Sequence, residues 1–248
     1  MKVINIVTPG GFGDAFTYSS VIKNKYAKEY DQVFIDCPRV AGMNKVLYND
    51  TPNANPGKAP NGSENIRLRW QDCVAHWESW RTVDWNRELD KEQECYDYFT
   101  NKYGKDYIIV HWRGRDNMGG GMKPLNPEYF INKDIPMINL DADWLRQNGD
   151  PIHGVLDYRM LIENAKEIHM YEGNWSSMVA GLQNIQHIPF FLHLYCKPDL
   201  FKWQNHRSDV LRFISEGKWM KDNVDIRYVY DYEYPSGLKY DFSKIEKR

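Results

Sequence analysis

The sequence predicts an α/β fold built as two halves, each a parallel sheet layered with helices. Short apolar runs alternate with helical patterns along the chain, and a strand followed by a loop opens both halves, at Val3–Val7 and Tyr107–His111. The length of 248 residues suits two small α/β units. The expected division is at Gly104-Lys105, giving an N-terminal half over 1–104 and a C-terminal half over 105–248. Strands alternating with helices imply parallel sheets with right-handed crossovers, and two such halves are expected to face a central cleft at the carboxyl ends of their strands.

In chain order, Val3, Ile4, Ile6 and Val7 form a β-branched run that suits a strand buried on both faces. Pro9, Gly10, Gly11 and Gly13 break it in a tight turn. A helical pattern then runs from Ala15 to Tyr30, with Phe16, Ser19, Ser20, Lys23 and Ala27 keeping its spacing and lysine-rich positions toward solvent. Strand, glycine turn and helix make the first unit of a nucleotide-binding α/β domain. Gln32–Asp36 is a second strand and Val40–Tyr48 a short helix. Turn-forming residues dominate Asn49–Asn65, which predicts a long surface loop. Ile66–Trp70 alternates as a third strand, and Asp72–Trp80 and Lys91–Lys102 are helical, the second ending at Gly104. The second half has strands at Tyr107–His111, Ile135–Leu140, Ile168–Tyr171 and Ile188–Tyr195, and one near Ile226–Val229. Its helices are expected at His153–Asn164, Met178–Leu182 and Asp209–Glu216.

Composition narrows the partners. A net charge of −2 gives no overall pull toward nucleic acid or anionic membrane. Cys37, Cys73, Cys95 and Cys196 are widely spaced without a C-x-x-C pair, as reduced thiols would be. The N-terminus carries no leader pattern and no apolar run nears membrane-spanning length, so a cytoplasmic protein without a membrane span is expected.

Three segments concentrate chemistry. The glycine turn of Gly10, Gly11 and Gly13 lets backbone N–H groups approach a ligand, but it carries Asp14 where a phosphate loop has Lys or Ser/Thr. A carboxylate there suits polarising a hydroxyl; the competing reading is a helix cap. The loop after Tyr107–His111 places Arg113, Arg115 and Lys123 around the run Gly119-Gly120-Gly121. Arginine forks and a lysine charge are what a diphosphate needs for binding and for departure, although loops favour charge in any case. The turn Glu172, Gly173, Asn174, Trp175, Ser176, Ser177 opens a helix and forms a second anion site, with ordinary capping as its simpler reading. Asp141-Ala142-Asp143 fits the D-x-D pattern that holds a divalent metal on a diphosphate, and strand-end carboxylates also cap helices. No zinc-binding histidine spacing and no G-x-S-x-G elbow occurs.

The run GGFGDAFTYSSVIK resembles the opening of heptosyltransferase-like (family 9) GT-B glycosyltransferases, in which Gly-Asp follows the first strand. The resemblance implies that Asp14 is the catalytic base. Arg115 and the downstream run from Lys123 to Phe130 are similar to the family's Arg…Lys-x-Trp-Pro segment, which implies that Lys123 contacts donor phosphate. DYRMLIENAKEIHMYEGNWSSMVAGL resembles the family's donor site, with Glu172 in place of Asp and Asn174-Trp175 in place of small residues. These blocks keep the family's order. His111-x-Arg113-x-Arg115-Asp116 is also similar to the fucosyltransferase type of GT-B enzyme, which leaves the donor open.

The resemblance implies a GT-B-like pair of Rossmann-type halves and inverting, metal-independent transfer of a sugar from a nucleotide-sugar donor, without a cofactor. Arg113, Arg115 and Lys123 would stabilise the departing diphosphate with backbone N–H groups at Asn174–Ser177, and Glu172 would hold ribose. Asp141 and Asp143 enter only if a metal is needed. A glycan is the expected acceptor. One alternative is a hydroxymethylated base in DNA, with Lys23, Lys25, Lys28, Arg67 and Arg69 as a phosphate track. Another is a non-catalytic nucleotide- or glycan-binding protein.

Overall fold

The computed structural model describes residues 1–8, 11–37, 41–69, 72–73, 83–111, 130–171, 174–185, 187–194 and 224–228. The chain divides into two compact units. Among the described residues the first is Met1–Asn86 with Ser177–Gln183, and the second is Arg87–Ser176 with those from Asn184 onward.

The first unit holds strands β1 (Val3–Val7), β2 (Gln32–Asp36), β3 (Ala54–Pro56) and β4 (Glu64–Arg67). They form a four-stranded parallel sheet in the order β3-β2-β1-β4. Side chains alternate across a strand, so Ile4 and Ile6 share a face with Val33 and Ile35 in the core, all essentially fully buried. The opposite face departs from the expectation of a strand buried on both sides. Val3 and Val7 are half-buried there, and Asn5 is covered by connecting backbone. The Ala59 N–H donates to Asn5 Oδ1 at 2.9 Å, and Asn5 Nδ2 donates to Asn65 Oδ1 at 2.9 Å. A buried amide needs such partners, and the β3–β4 connection supplies one.

The first helix begins earlier than its apolar spacing suggests, at Phe12, and runs through Val21. It widens into a π-helical turn over Ile22–Tyr26 and ends with Ala27–Glu29. Lys23 does not face open solvent. Its Nζ donates to Asp50 Oδ1 and Oδ2 at 2.8 and 2.7 Å, and also to the Asp84 carbonyl. The helix Ala41–Leu47 lies where one was expected. Asn49–Asn65 is not simply a loop: it contains β3 and the start of β4. Of the expected helix Asp72–Trp80, Asp72 and Cys73 are helical and the remainder lies outside the described residues.

Trp85 is a buried keystone of this unit. Its Nε1 donates to Ser19 Oγ at 2.9 Å, and its ring meets Phe16 edge-on at 5.3 Å between centroids. Gly181 lies against the same ring: a Cβ there would overlap Cη2 of Trp85 and sit 2.8 Å from Cζ3. Gln183 Nε2 adds a bond to the Val83 carbonyl at 3.1 Å.

The second unit holds β5 (Ile108–His111), β6 (Met137–Asn139), β7 (Glu167–Tyr171), β8 (Phe190–Leu194) and β9 (Val224–Tyr228). These form a five-stranded parallel sheet in the order β6-β5-β7-β8-β9. The helix Leu89–Tyr103 buries Cys95 and Phe99, and Gly104 stops it with a φ of +91°. Gly104 ends a helix, whereas the units divide between Asn86 and Arg87. Charge pairing accounts for this grouping. Fully buried Glu92 on the helix meets Arg159 Nη2 at 2.7 Å and Arg87, whose Nη2 also reaches Glu163 Oε2 at 2.8 Å. Breaking such a buried set leaves a charge uncompensated, so Arg87 and the helix stay with the second sheet.

Short helices follow at Ala142–Gln147, Arg159–Glu163 and Asn174–Gly181. The first was not anticipated. The second is shorter than His153–Asn164, because the Gly154 N–H turns back to Asp157 Oδ2 at 2.8 Å. The third begins at Asn174 rather than Met178. The expected helix Asp209–Glu216 lies outside the described residues. Cys37, Cys73 and Cys95 are buried free thiols, and Cys196 lies outside the described residues. Among the described residues no helix is long and apolar enough to cross a membrane.

Candidate functional site

Open α/β sheets bind ligands beyond the carboxyl ends of their strands, where the strand order reverses. In the first sheet that reversal lies between β1 and β4, and in the second between β5 and β7. The sequence-predicted residues follow these strands. Gly10 to Asp14 come after β1, the run 112–123 leaves β5 and 172–177 leaves β7. β5 and β7 are direct neighbours, with His111 in register with Met170.

At the first reversal, Gly11 precedes the helix, and Asp14 is its third residue. The Gly11 N–H donates to Asp14 Oδ2 at 2.9 Å, so the carboxylate reaches back to cap the helix. This is the capping role the sequence allowed; Asp14 remains half-buried rather than sealed in. Gly13 is buried in the first helical turn and is not part of a loop. Gly11 has ordinary extended backbone, and a Cβ there would meet nothing within 4 Å. Gly10 lies outside the described residues. Phe12, at the same turn, is 49% exposed. One turn on, burial raises the pKa of Tyr18 far above the phenol range, and the charge of Asp14 raises it further, so Tyr18 is a neutral phenol.

At the second reversal, the ring of His111 closes β5 and lies 6.1 Å from that of Trp175, tilted by 47°. Trp175, in the first turn of Asn174–Gly181, meets Tyr158 edge-on at 5.4 Å and 85°. Tyr158 is fixed in turn: the His153 N–H donates to its hydroxyl at 3.1 Å, and its ring packs against His153 and Phe99. Ser176 and Ser177 are buried, so their hydroxyls do not line an open surface. Arg113, Arg115, Lys123, Glu172 and Gly173 lie outside the described residues, as does the side chain of Asn174.

The D-x-D pair has structural work. Asp141 caps Ala142–Gln147, with its Oδ1 accepting the N–H groups of Asp143 at 2.9 Å and Trp144 at 3.2 Å. Asp143 Oδ1 accepts from Arg146 Nη1 at 2.8 Å. Among the described residues no group of three or more His, Cys, Asp or Glu is placed to hold a metal ion. Of the basic residues considered as a phosphate track, Lys23 is occupied by Asp50, and Lys25 lies 5.2 Å from the ring centre of Tyr26. Lys28, Arg67 and Arg69 are exposed.

The sequence reading missed a buried polar pair on β7. Glu167 and His169 are both fully buried and bonded to each other. Glu167 also accepts from the Ile131 N–H at 2.8 Å, the Asn132 N–H at 3.0 Å and Asn132 Nδ2 at 2.9 Å. His169 stacks on Phe191 and meets Phe130 edge-on, each at 4.6 Å. The available signal was Glu-x-His on one face of an otherwise apolar strand. Comparison with family models, with curated proteins and with solved structures gave no match.

Proposed function

We propose that this chain is an inverting, metal-independent glycosyltransferase of GT-B type, using a nucleotide-sugar donor and a hydroxyl acceptor, most simply a glycan. The observation that carries this reading is the strand order of the second sheet. It makes β5 and β7 neighbours, so the segment with Arg113, Arg115 and Lys123 and the segment Glu172–Ser177 leave adjacent strand ends at a reversal. In this reading the second unit serves the donor and the first the acceptor.

The step balances without a cofactor. The acceptor oxygen bonds to the anomeric carbon as the carbon–oxygen bond to phosphate breaks, and the electron pair leaves with the diphosphate. Asp14 takes the hydroxyl proton. Its half-buried place after β1 supports that role, and it requires Asp14 to exchange the Gly11 N–H for, or share it with, substrate. Arg113, Arg115 and Lys123 meet the charge that grows on the diphosphate, where their effect on rate is largest.

The test is release of nucleoside diphosphate from a panel of nucleotide sugars, with glycans or hydroxymethylated DNA as acceptor. Asp14→Asn is expected to keep the fold and donor affinity while slowing transfer by about two to four orders of magnitude. Wild-type turnover in that variant would leave Asp14 as a cap alone. Nucleotide binding without any release would favour the non-catalytic binding protein.

A further inference from the structure

Resting on the donor reading of the second unit, we infer that Trp175 is the platform on which the nucleobase of a nucleoside diphosphate stacks. Three observations converge on this residue. It occupies the first turn of Asn174–Gly181, immediately beyond β7, and so lies at the strand-order reversal of the second sheet. It is half-buried, unlike the neighbouring Ser176 and Ser177. It is also held rigidly from within. Tyr158 abuts it edge-on, and Tyr158 is itself fixed by the His153 N–H and by the rings of His153 and Phe99.

A rigid aromatic surface is what a base needs. Every base has a π-face, and stacking loses little entropy when the protein ring is already ordered. The geometry further selects how the base sits. Sandwiching it between two rings requires near-parallel planes separated by two contact distances of about 3.5 Å each. The rings of His111 and Trp175 are tilted by 47° with centroids 6.1 Å apart, so no base fits between them. Stacking is therefore one-sided, with His111 bracing Trp175 from the end of β5. A one-sided stack reads the presence of a base more than its identity, so modest base selectivity is expected. The backbone N–H groups at the start of the same helix, within a residue of Trp175 in sequence, are of the kind a diphosphate favours.

The experiment is calorimetric titration of the full chain with nucleoside diphosphates of different bases, and with inorganic pyrophosphate as the probe without a base. Trp175→Leu and Trp175→Phe are titrated alongside wild type, with thermal melts to confirm that each variant is folded. Wild type is expected to bind at least one nucleoside diphosphate more tightly than pyrophosphate. Trp175→Leu should lose about 10- to 100-fold in nucleoside diphosphate affinity while pyrophosphate binding is unchanged, and Trp175→Phe should retain most of it. A merely structural tryptophan would move both ligands together. Wild-type nucleoside diphosphate affinity in Trp175→Leu overturns the inference and leaves the donor reading standing. So does wild-type binding of pyrophosphate as tight as that of every nucleoside diphosphate. Binding of neither ligand by wild type overturns the donor reading and this inference with it.

Discussion

Acidification offers a sharp test of the second unit through Glu167. Burial pushes its carboxyl up, but bonds from His169, the Ile131 N–H and Asn132 outweigh that cost and hold it at about 2, against an ordinary 4.5. A carboxyl lowered in the folded state adds stability that is complete above its unfolded pKa and disappears as pH falls through the folded one. The window therefore runs from about 4.5 down to about 2. Linkage across that interval makes the ionised carboxylate worth about 3 kcal/mol at neutral pH, of which about 2 kcal/mol is gone by pH 3. The assay is a native-state titration of side-chain carboxyl ¹³C resonances, with the Glu167 signal identified by its loss in Glu167→Gln. Denaturant unfolding of wild type at pH 5 and pH 3 supplies the energetic counterpart. At neutral pH, Glu167→Gln should itself be destabilised by a similar amount, because an amide N–H₂ would confront groups that are already donors. A Glu167 midpoint at or above 4.5 would refute the reasoning, since four bonds would then not outweigh burial.

Gly181→Ala is expected to destabilise the first unit by about 1–3 kcal/mol, because the indole of Trp85 is fixed by Ser19 and Phe16 and has little room to yield. Unfolding by urea checks this, and a neutral result would show that the ring shifts freely. On the proposed donor reading, Arg115→Ala should weaken nucleoside diphosphate binding by about 1.5–3 kcal/mol, the scale of a hydrogen bond to a charged group. Lys123→Ala should spare that binding more and lower turnover more, because on the same reading its charge acts on the departing diphosphate. Titration with steady-state kinetics separates the two, and equally small effects on both quantities would reduce the segment to a charged surface.

Much of the architecture is written in local pattern. β1, β2 and β5 are rich in β-branched residues and β8 in large apolar ones, and such runs announce a strand wherever the chain later places it. The helix Leu89–Tyr103 is legible from its spacing and its terminal glycine. β3 escaped notice for a physical reason. It is a three-residue edge strand in a turn-rich stretch, tied to β2 by backbone, with the Gly57 N–H donating to the Ile35 carbonyl at 2.9 Å. Main-chain pairing leaves little trace in side-chain type. Lys23 looked solvent-facing because helical periodicity says nothing about an aspartate 27 positions away.

The sequence by itself determined the class of the fold, the segments carrying cationic and small residues, and the carboxylate after the first strand. Tertiary structure decided which of these are neighbours. Strand order joins the ends of β5 and β7, packing turns Gly181 toward Trp85, and a folded-back chain brings Ile131 and Asn132 to Glu167. The physical reason is the range of the interactions. Propensity and periodicity act over a few residues and survive in a one-dimensional reading. Pairing of buried charges, close approach of rings and adjacency of strands depend on chain closure over long separations, which only the folded state resolves.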